Sequence, residues 1–403
     1  MKNKNFLKVR IAKCFALLMP ITLLISPTVT ACSSKWNDNH VFAQSSPASV
    51  SDRSLVASTH KSNQKFYNVG IADNLTLKDA QRNRQIPIKV SYPQGQQGSF
   101  PVIVFSHGAG ASKDDYAPLT RFWASQGYIC IQPTHADSIA LNRQQGNSEN
   151  LRESVQKMLG DAKGWKDRAA DISLIISSLN ELERQAPQLK GKMNTQRIGV
   201  GGHSYGAYTA QLVGGATIDI PEGAKAQSFA DRRVRAVLLL SPQGTGQQGL
   251  TRNSWAKINL PMMTMTGSKD RGAQGQGPDW KEEPFKYSPA GEKYLVFIEG
   301  ASHFSFSGKL AQGGQARGET PVRQRGWRLR ERFGGGQGGG FGGGDRRFFG
   351  GGQQQEGTIF SYVKTTSLSF WDAYLKQDSK AKEFLKSDAL KSESNGDVSI
   401  SFK

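Results

Sequence analysis

The chain has 403 residues, a formal net charge of +19 and 37% hydrophobic residues. That length accommodates one large α/β domain or two smaller ones, and the apolar fraction excludes both a wholly disordered chain and a multi-span membrane protein. The three cysteines, Cys14, Cys32 and Cys130, exclude a disulfide scaffold and a cysteine-based zinc site. The basic excess favours anionic surroundings such as lipid headgroups and says nothing about fold.

Lys2, Lys4, Lys8, Arg10 and Lys13 precede an apolar run from Phe15 to Ile25, and small residues follow. These are the three regions of a secretory signal, with a run too short to span a bilayer comfortably. Val29-Thr30-Ala31-Cys32 resembles a bacterial lipobox, in which the cysteine becomes the lipidated first residue of the mature chain. The resemblance implies that residues 1–31 are a signal peptide, that Cys32 is acylated, and that the protein crosses the inner membrane and is held at a membrane face by its lipid chains. An ordinary cleaved signal with a chance cysteine is the alternative. Residues 32–64, rich in Ser, Asn, Gln and Ala, predict a flexible tether.

From Lys65 strands alternate with helices. Ile86–Tyr92 alternates apolar and polar residues, as an edge or antiparallel strand does, and Pro101–Phe105 is a continuous apolar run suited to a strand buried on both faces. Asp115–Gln126 predicts a helix and Tyr128–Gln132 a strand that holds Cys130 as a buried, inert thiol. Ile172, Ile175, Ile176 and Leu179 recur at helical spacing within 167–182. Strands follow at Arg197–Gly202, Val234–Leu240, Met262–Thr266 and Tyr294–Ile298, with a helix from Tyr205 and a last helix over Thr358–Leu375. Such alternation predicts a mostly parallel, doubly wound sheet over residues 65–395, with 396–403 as a tail.

Residues 308–357 break the pattern. Arg317, Arg323, Arg325, Arg328, Arg330, Arg332, Arg346 and Arg347 outnumber Glu319, Glu331 and Asp345, and glycine tracts surround them. Glycine tracts are costly to order and offer nothing to pack, so a disordered insertion is expected. The Arg/Gly/Phe mixture resembles single-strand nucleic-acid-binding segments, but a secreted location argues for a solvated loop with no nucleic-acid partner.

The chemistry centres on Gly202-His203-Ser204-Tyr205-Gly206, set between a short apolar strand and a plausible helix. A sharp turn there lifts the Ser204 hydroxyl above the sheet, and Gly202 and Gly206 must be small because backbone and helix crowd. The helix N-terminus favours negative charge on the reacting group. A serine hydroxyl needs a base. His40 and His60 lie in the tether, His203 lies inside the elbow, and His107 and His135 follow earlier strands. His303 alone lies after Ser204, and it directly follows a strand, where this sheet type gathers its site. The base needs a carboxylate. Asp270 follows strand Met262–Thr266 and completes the order Ser, Asp, His; Asp279, Glu282 and Glu283 sit in looser polar sequence, and Ser241-Pro242-Gln243 ends strand Val234–Leu240 with no acid. Ser106-His107-Gly108-Ala109-Gly110 after strand Pro101–Phe105 would bring a second amide to the reaction centre. The N–H groups of Ala109 and Tyr205 then make an oxyanion hole, with His107 and Gly108 structural. No metal or cofactor is called for. Segment His135–Gly164 is polar and is positioned to line or cover an acyl pocket.

These four elements resemble the α/β-hydrolase fold. PVIVFSHGAGASKDDYAPLTRFWASQGYICIQPTHADS, the helix start at Trp165–Asp171, GHSYGA and the terminal FWDAYLK are similar to the dienelactone-hydrolase-like and platelet-activating-factor-acetylhydrolase-like proteins. The likeness covers roughly residues 65–395 apart from the insertion and implies metal-free serine hydrolysis of carboxylic esters, whether acyl-lipid or short-chain. Two departures stand out. Dienelactone hydrolases use a cysteine nucleophile where this chain has Ser204. The acetylhydrolases carry their acid after the strand that follows the elbow helix, where this chain has Ser241, and Asp270 comes one strand later, as in secreted cutinase-like polyester hydrolases. A peptidase on the same fold is the enzymatic alternative, and a non-catalytic surface-binding lipoprotein is the alternative from another class.

Overall fold

A computed structural model describes residues 66–146, 150–312 and 346–403. Its strands are β1 (Val69–Asp79), β2 (Arg84–Pro93), β3 (Phe100–Ser106), β4 (Ile129–Pro133), β5 (Met193–His203), β6 (Thr217–Ile218), β7 (Gln227–Ser228), β8 (Val234–Leu240), β9 (Met262–Lys269), β10 (Lys293–Ser302) and β11 (Val398–Phe402). β6 and β7 form a small ribbon; the other nine make one sheet in the order β1-β2-β4-β3-β5-β8-β9-β10-β11. β4, β3, β5, β8, β9 and β10 run parallel within it; β2 is antiparallel to both β4 and β1 at one side, and β11 is antiparallel to β10 at the other. This is the α/β-hydrolase fold.

The central stretches of the parallel strands are largely apolar because both faces are covered. Side chains alternate between faces, and two cores result. Val102, Val104, Ile131, Val200, Val237 and Leu239 face one, beneath Ile172 and Ile175 of helix Ala162–Ser177 and Tyr208 and Leu212 of the elbow helix Tyr205–Val213. Ile103, Phe105, Cys130, Leu238 and Leu240 face the other, against Trp123 of helix Ala117–Ser125 and Phe370 and Trp371 of the long helix Arg346–Leu375. Cys130 is a free, buried thiol whose pKa burial pushes up.

Several boundaries differ from the sequence reading. β1 was not anticipated; it pairs with β2 through a bulge between Ala72 and Leu75, which breaks its alternation. β2 is therefore an inner strand, and it is antiparallel to both neighbours, one of the two arrangements its alternation allowed. Residues 396–403, expected as a tail, carry β11, which pairs Val398 with Ile298 and Ile400 with Val296. The stretch assigned to the insertion begins with the short helical turn Leu310–Gln312 and ends inside the long helix, which starts at Arg346. Exposed Gln353, Gln354 and Gln355 are good helix formers, and the adjacent glycines obscured that signal. Residues 313–345, with most of the arginines, lie outside the described residues, as do the expected signal peptide, Cys32 and the expected tether.

After β3 the chain crosses outward to β4, then returns to place β5 on the opposite side of β3. The crevice beyond the carboxyl ends of β3 and β5 is the topological switch point, where such sheets bind ligands.

Candidate active site

Five consecutive strand ends converge at that crevice. β5 ends at His203, and Ser204 follows with φ +56° and ψ −118° as N-cap of the elbow helix. A non-glycine residue rarely adopts a positive φ. Here the Ser204 N–H donates to Leu240 O at 2.9 Å, and its carbonyl accepts from the Tyr208 N–H at 3.0 Å. The turn requires glycine on both sides. A Cβ on Gly202 would lie 2.2 Å from the Gly206 backbone, and one on Gly206 would lie 1.9 Å from Ser106 O.

β10 delivers His303, whose side chain is 24% exposed, and β9 delivers Asp270, fully buried. His303 Nδ1 lies 3.2 Å from Asp270 Oδ1 and 2.8 Å from Ser241 Oγ, at the end of β8. Burial pushes the Asp270 carboxyl up, but Lys281, His303 and Ser241 together reverse this and hold it below the usual carboxylate range. Glu283 and Glu282 are engaged elsewhere, with the Thr245 N–H and with Lys286. The His303 ring lies 4.7 Å, centroid to centroid, from that of His203, the residue before Ser204. No hydrogen bond joins Ser204 Oγ to the imidazole in this structure. Such bonds commonly tighten only when substrate binds.

The other three histidines among the described residues, His107, His135 and His203, are buried and have both ring nitrogens occupied. His203 Nε2–H donates to the His303 carbonyl at 2.7 Å, and its Nδ1 accepts from Tyr116 Oη at 2.8 Å; Tyr116 Oη in turn accepts from the Gly108 N–H at 3.2 Å. One buried chain of bonds thus links the loop after β3, the elbow and the loop after β10. His107 Nδ1–H donates to Gly108 O and its Nε2 accepts from the His135 N–H. His135 Nε2 accepts from Ser106 Oγ at 2.9 Å, and its Nδ1–H donates to Asp171 at 2.7 Å.

Arg168 holds the loop after β3. Its guanidinium donates to Asp137 through Nε at 2.9 Å and Nη2 at 2.8 Å, to His107 O at 2.7 Å and to Gly108 O at 3.3 Å, and it lies 4.1 Å from the centre of the Tyr205 ring. Asp137 accepts from the Gly110 N–H. The N–H groups of Gly108 and Gly110 are therefore engaged, and that of Ala109, between them, has no partner among the described residues. The N–H of Tyr205, first in its helix, has no intrahelical acceptor. Neither Arg168 nor Asp137 emerged from the sequence reading. The signal was there: Arg168, Asp171, Ile172 and Ile175 share one helical face, and a charged residue on a core-facing stripe calls for a partner.

A cavity of about 270 Å³ lies beside this loop. Asp137, Asn142, Met158, Asp161, Arg168 and Tyr205 are among the residues lining it. Segment His135–Gly164 thus supplies much of a cavity wall, but the wall is polar and charged. Among the described residues, no group of three or more His, Cys, Asp or Glu side chains is placed to hold a metal ion.

Sheet order and strand-end geometry define a protein with the α/β-hydrolase fold. The sequence profile described as platelet-activating factor acetylhydrolase, isoform II, matches residues 68–170, the stretch containing β1 to β4 and the start of helix Ala162–Ser177. The chain is also 23% identical over 246 residues to the platelet-activating factor acetylhydrolase of Cavia porcellus, covering 55% of this chain and 51% of that protein. The match thus spans about half the length of that relative. Both likenesses agree with the branch suggested by the motifs.

Proposed function

We propose that the protein hydrolyses carboxylic esters through an acyl-enzyme on Ser204. The observation that carries this reading is the His303–Asp270 pair at the ends of β10 and β9, beside a serine held in a strained strand-to-helix turn. His303 Nε2 takes the Ser204 proton as Oγ attacks the ester carbonyl. The N–H groups of Ala109 and Tyr205 receive the developing oxyanion. Collapse expels the alcohol, which takes the proton from His303, and water repeats the sequence to release the acid. Asp270 stays ionised and holds the imidazolium. The relatives' name supports an acetyl or other short acyl ester of a lipid as substrate. The charged cavity beside the oxyanion loop suits a polar substituent, since a long acyl chain gains nothing against charged groups.

Ser204→Ala should abolish turnover of p-nitrophenyl acetate and labelling by a fluorophosphonate, with the fold intact by circular dichroism. Unchanged turnover would end the proposal. We further propose that Cys32 carries a lipid that holds the enzyme at a membrane face. Among the described residues no helix is long and apolar enough to cross a membrane. Cys32→Ser should move the protein from the membrane fraction to the soluble fraction of fractionated cells, and retention in the membrane fraction would contradict the anchor.

A further inference from the structure

Ser204 has a counterpart one strand over. Ser241, at the end of β8, also has a positive φ, +51°, and is fully buried. Such a conformation is strained for a non-glycine residue and persists only where its surroundings enforce it. Here the Ser241 N–H donates to Met265 O at 2.8 Å, and Lys281 Nζ lies 3.4 Å from its carbonyl and 3.3 Å from that of Pro242.

The strained backbone aims the hydroxyl between the two residues of the acid–base pair. An ionised carboxylate only accepts hydrogen bonds, so Ser241 Oγ–H donates to Asp270 Oδ1, at 2.9 Å, and a lone pair remains for the Nδ1–H of His303, at 2.8 Å. The direct His303–Asp270 contact is longer, 3.2 Å. Thr266 Oγ1 donates to Asp270 Oδ2 at 3.0 Å, and buried Lys281 Nζ stands 3.7 Å from Oδ1. Ser241 and Thr266 hold one oxygen each of the carboxylate, and the imidazole makes its shorter bond to the serine.

We propose that Ser241 is a positioning residue of the hydrolytic centre: its hydroxyl, seated between Asp270 and His303, orients the imidazole so that Nε2 faces Ser204. The inference rests on reading Ser204, His303 and Asp270 as that centre. It also accounts for an acid on β9 with a serine on β8, because the hydroxyl fills the space between Asp270 and the ring.

Two variants test it. Ser241→Gly removes the hydroxyl and relieves the positive φ, so it should fold with a melting temperature at or above that of Ser241→Ala. Ser241→Ala removes the hydroxyl and keeps the strain. Both should lower kcat on p-nitrophenyl acetate by about 10- to 100-fold, with KM unchanged within about twofold, and both should shift the proton resonance of the His303 Nδ1–H. A purely structural serine would leave kcat and that resonance unmoved in the glycine variant. Wild-type kcat in Ser241→Gly, with turnover lost in Ser204→Ala, overturns the role of Ser241 and leaves the hydrolytic centre standing. Turnover retained in Ser204→Ala would instead remove the reading beneath it. A glycine variant that fails to fold contradicts the strain argument and the proposal with it.

Discussion

Arg168 shows how much of the site's shape depends on one buried side chain outside the Ser204, His303 and Asp270 set. Its guanidinium is almost wholly buried, pairs with Asp137 and reaches two carbonyls of the oxyanion loop. Removing one partner of a buried ion pair typically costs about 3–5 kcal/mol, because the other charge remains unpaired. Lysine would keep a charge for Asp137 but lacks the planar fork that serves carboxylate and carbonyls together. Arg168→Lys should therefore fold and turn over p-nitrophenyl acetate about 10- to 100-fold more slowly; full activity in a folded variant would show that the loop holds its shape unaided. The residues that a sequence reading can reach are those with a fixed offset from a strand, such as Ser204 two residues into its motif and His303 just past β10. Ser241 and Lys281 are different. Their roles depend on a backbone twist and on a lysine from helix Pro278–Lys281 packing across two strand ends, and no local pattern encodes either.

At the scale of elements, the central strands were legible because burial on both faces leaves continuous apolar runs: β3, β4 and β8 lie within a residue or two of where the sequence puts them. The sheet edges were not. β1 carries a bulge that shifts its alternation, and β11 is a five-residue strand whose apolar Val398, Ile400 and Phe402 gain meaning only once β10 is beside them. Helix Ala162–Ser177 begins five residues before residue 167, where the sequence puts its start, since Lys163 and Gly164 of its first turn line the cavity and give no apolar repeat. In each case tertiary contacts, rather than local propensity, set the boundary.

For the whole molecule, the buried histidines predict a response to acid. Burial, with Arg168 nearby, pushes His107 down to about 4, and burial likewise holds His135 and His203 well below the ordinary value. In the unfolded chain each titrates near 6.5. Between these values the unfolded state binds more protons, so stability rises with pH and is lost as pH falls from about 6.5 towards 4. For His107 alone the loss approaches about 3 kcal/mol at the lower end. Urea unfolding at pH 7 and pH 5 should show the free energy falling, and equal values would mean that these rings are protonated in the fold. The bonds that keep them neutral have a further consequence. With Arg168, Tyr116 and His203 joining the loops after β3, β5 and β10, three walls of the crevice are coupled, and a change to one disturbs the others. The short helix Ile139–Gln144 buries none of its side chains, so mutations there carry little structural penalty. On the proposed esterase reading, divergence towards new esters has its freest path along that wall, and a directed-evolution library confined to it would explore selectivity while sparing Ser204, His303 and Asp270.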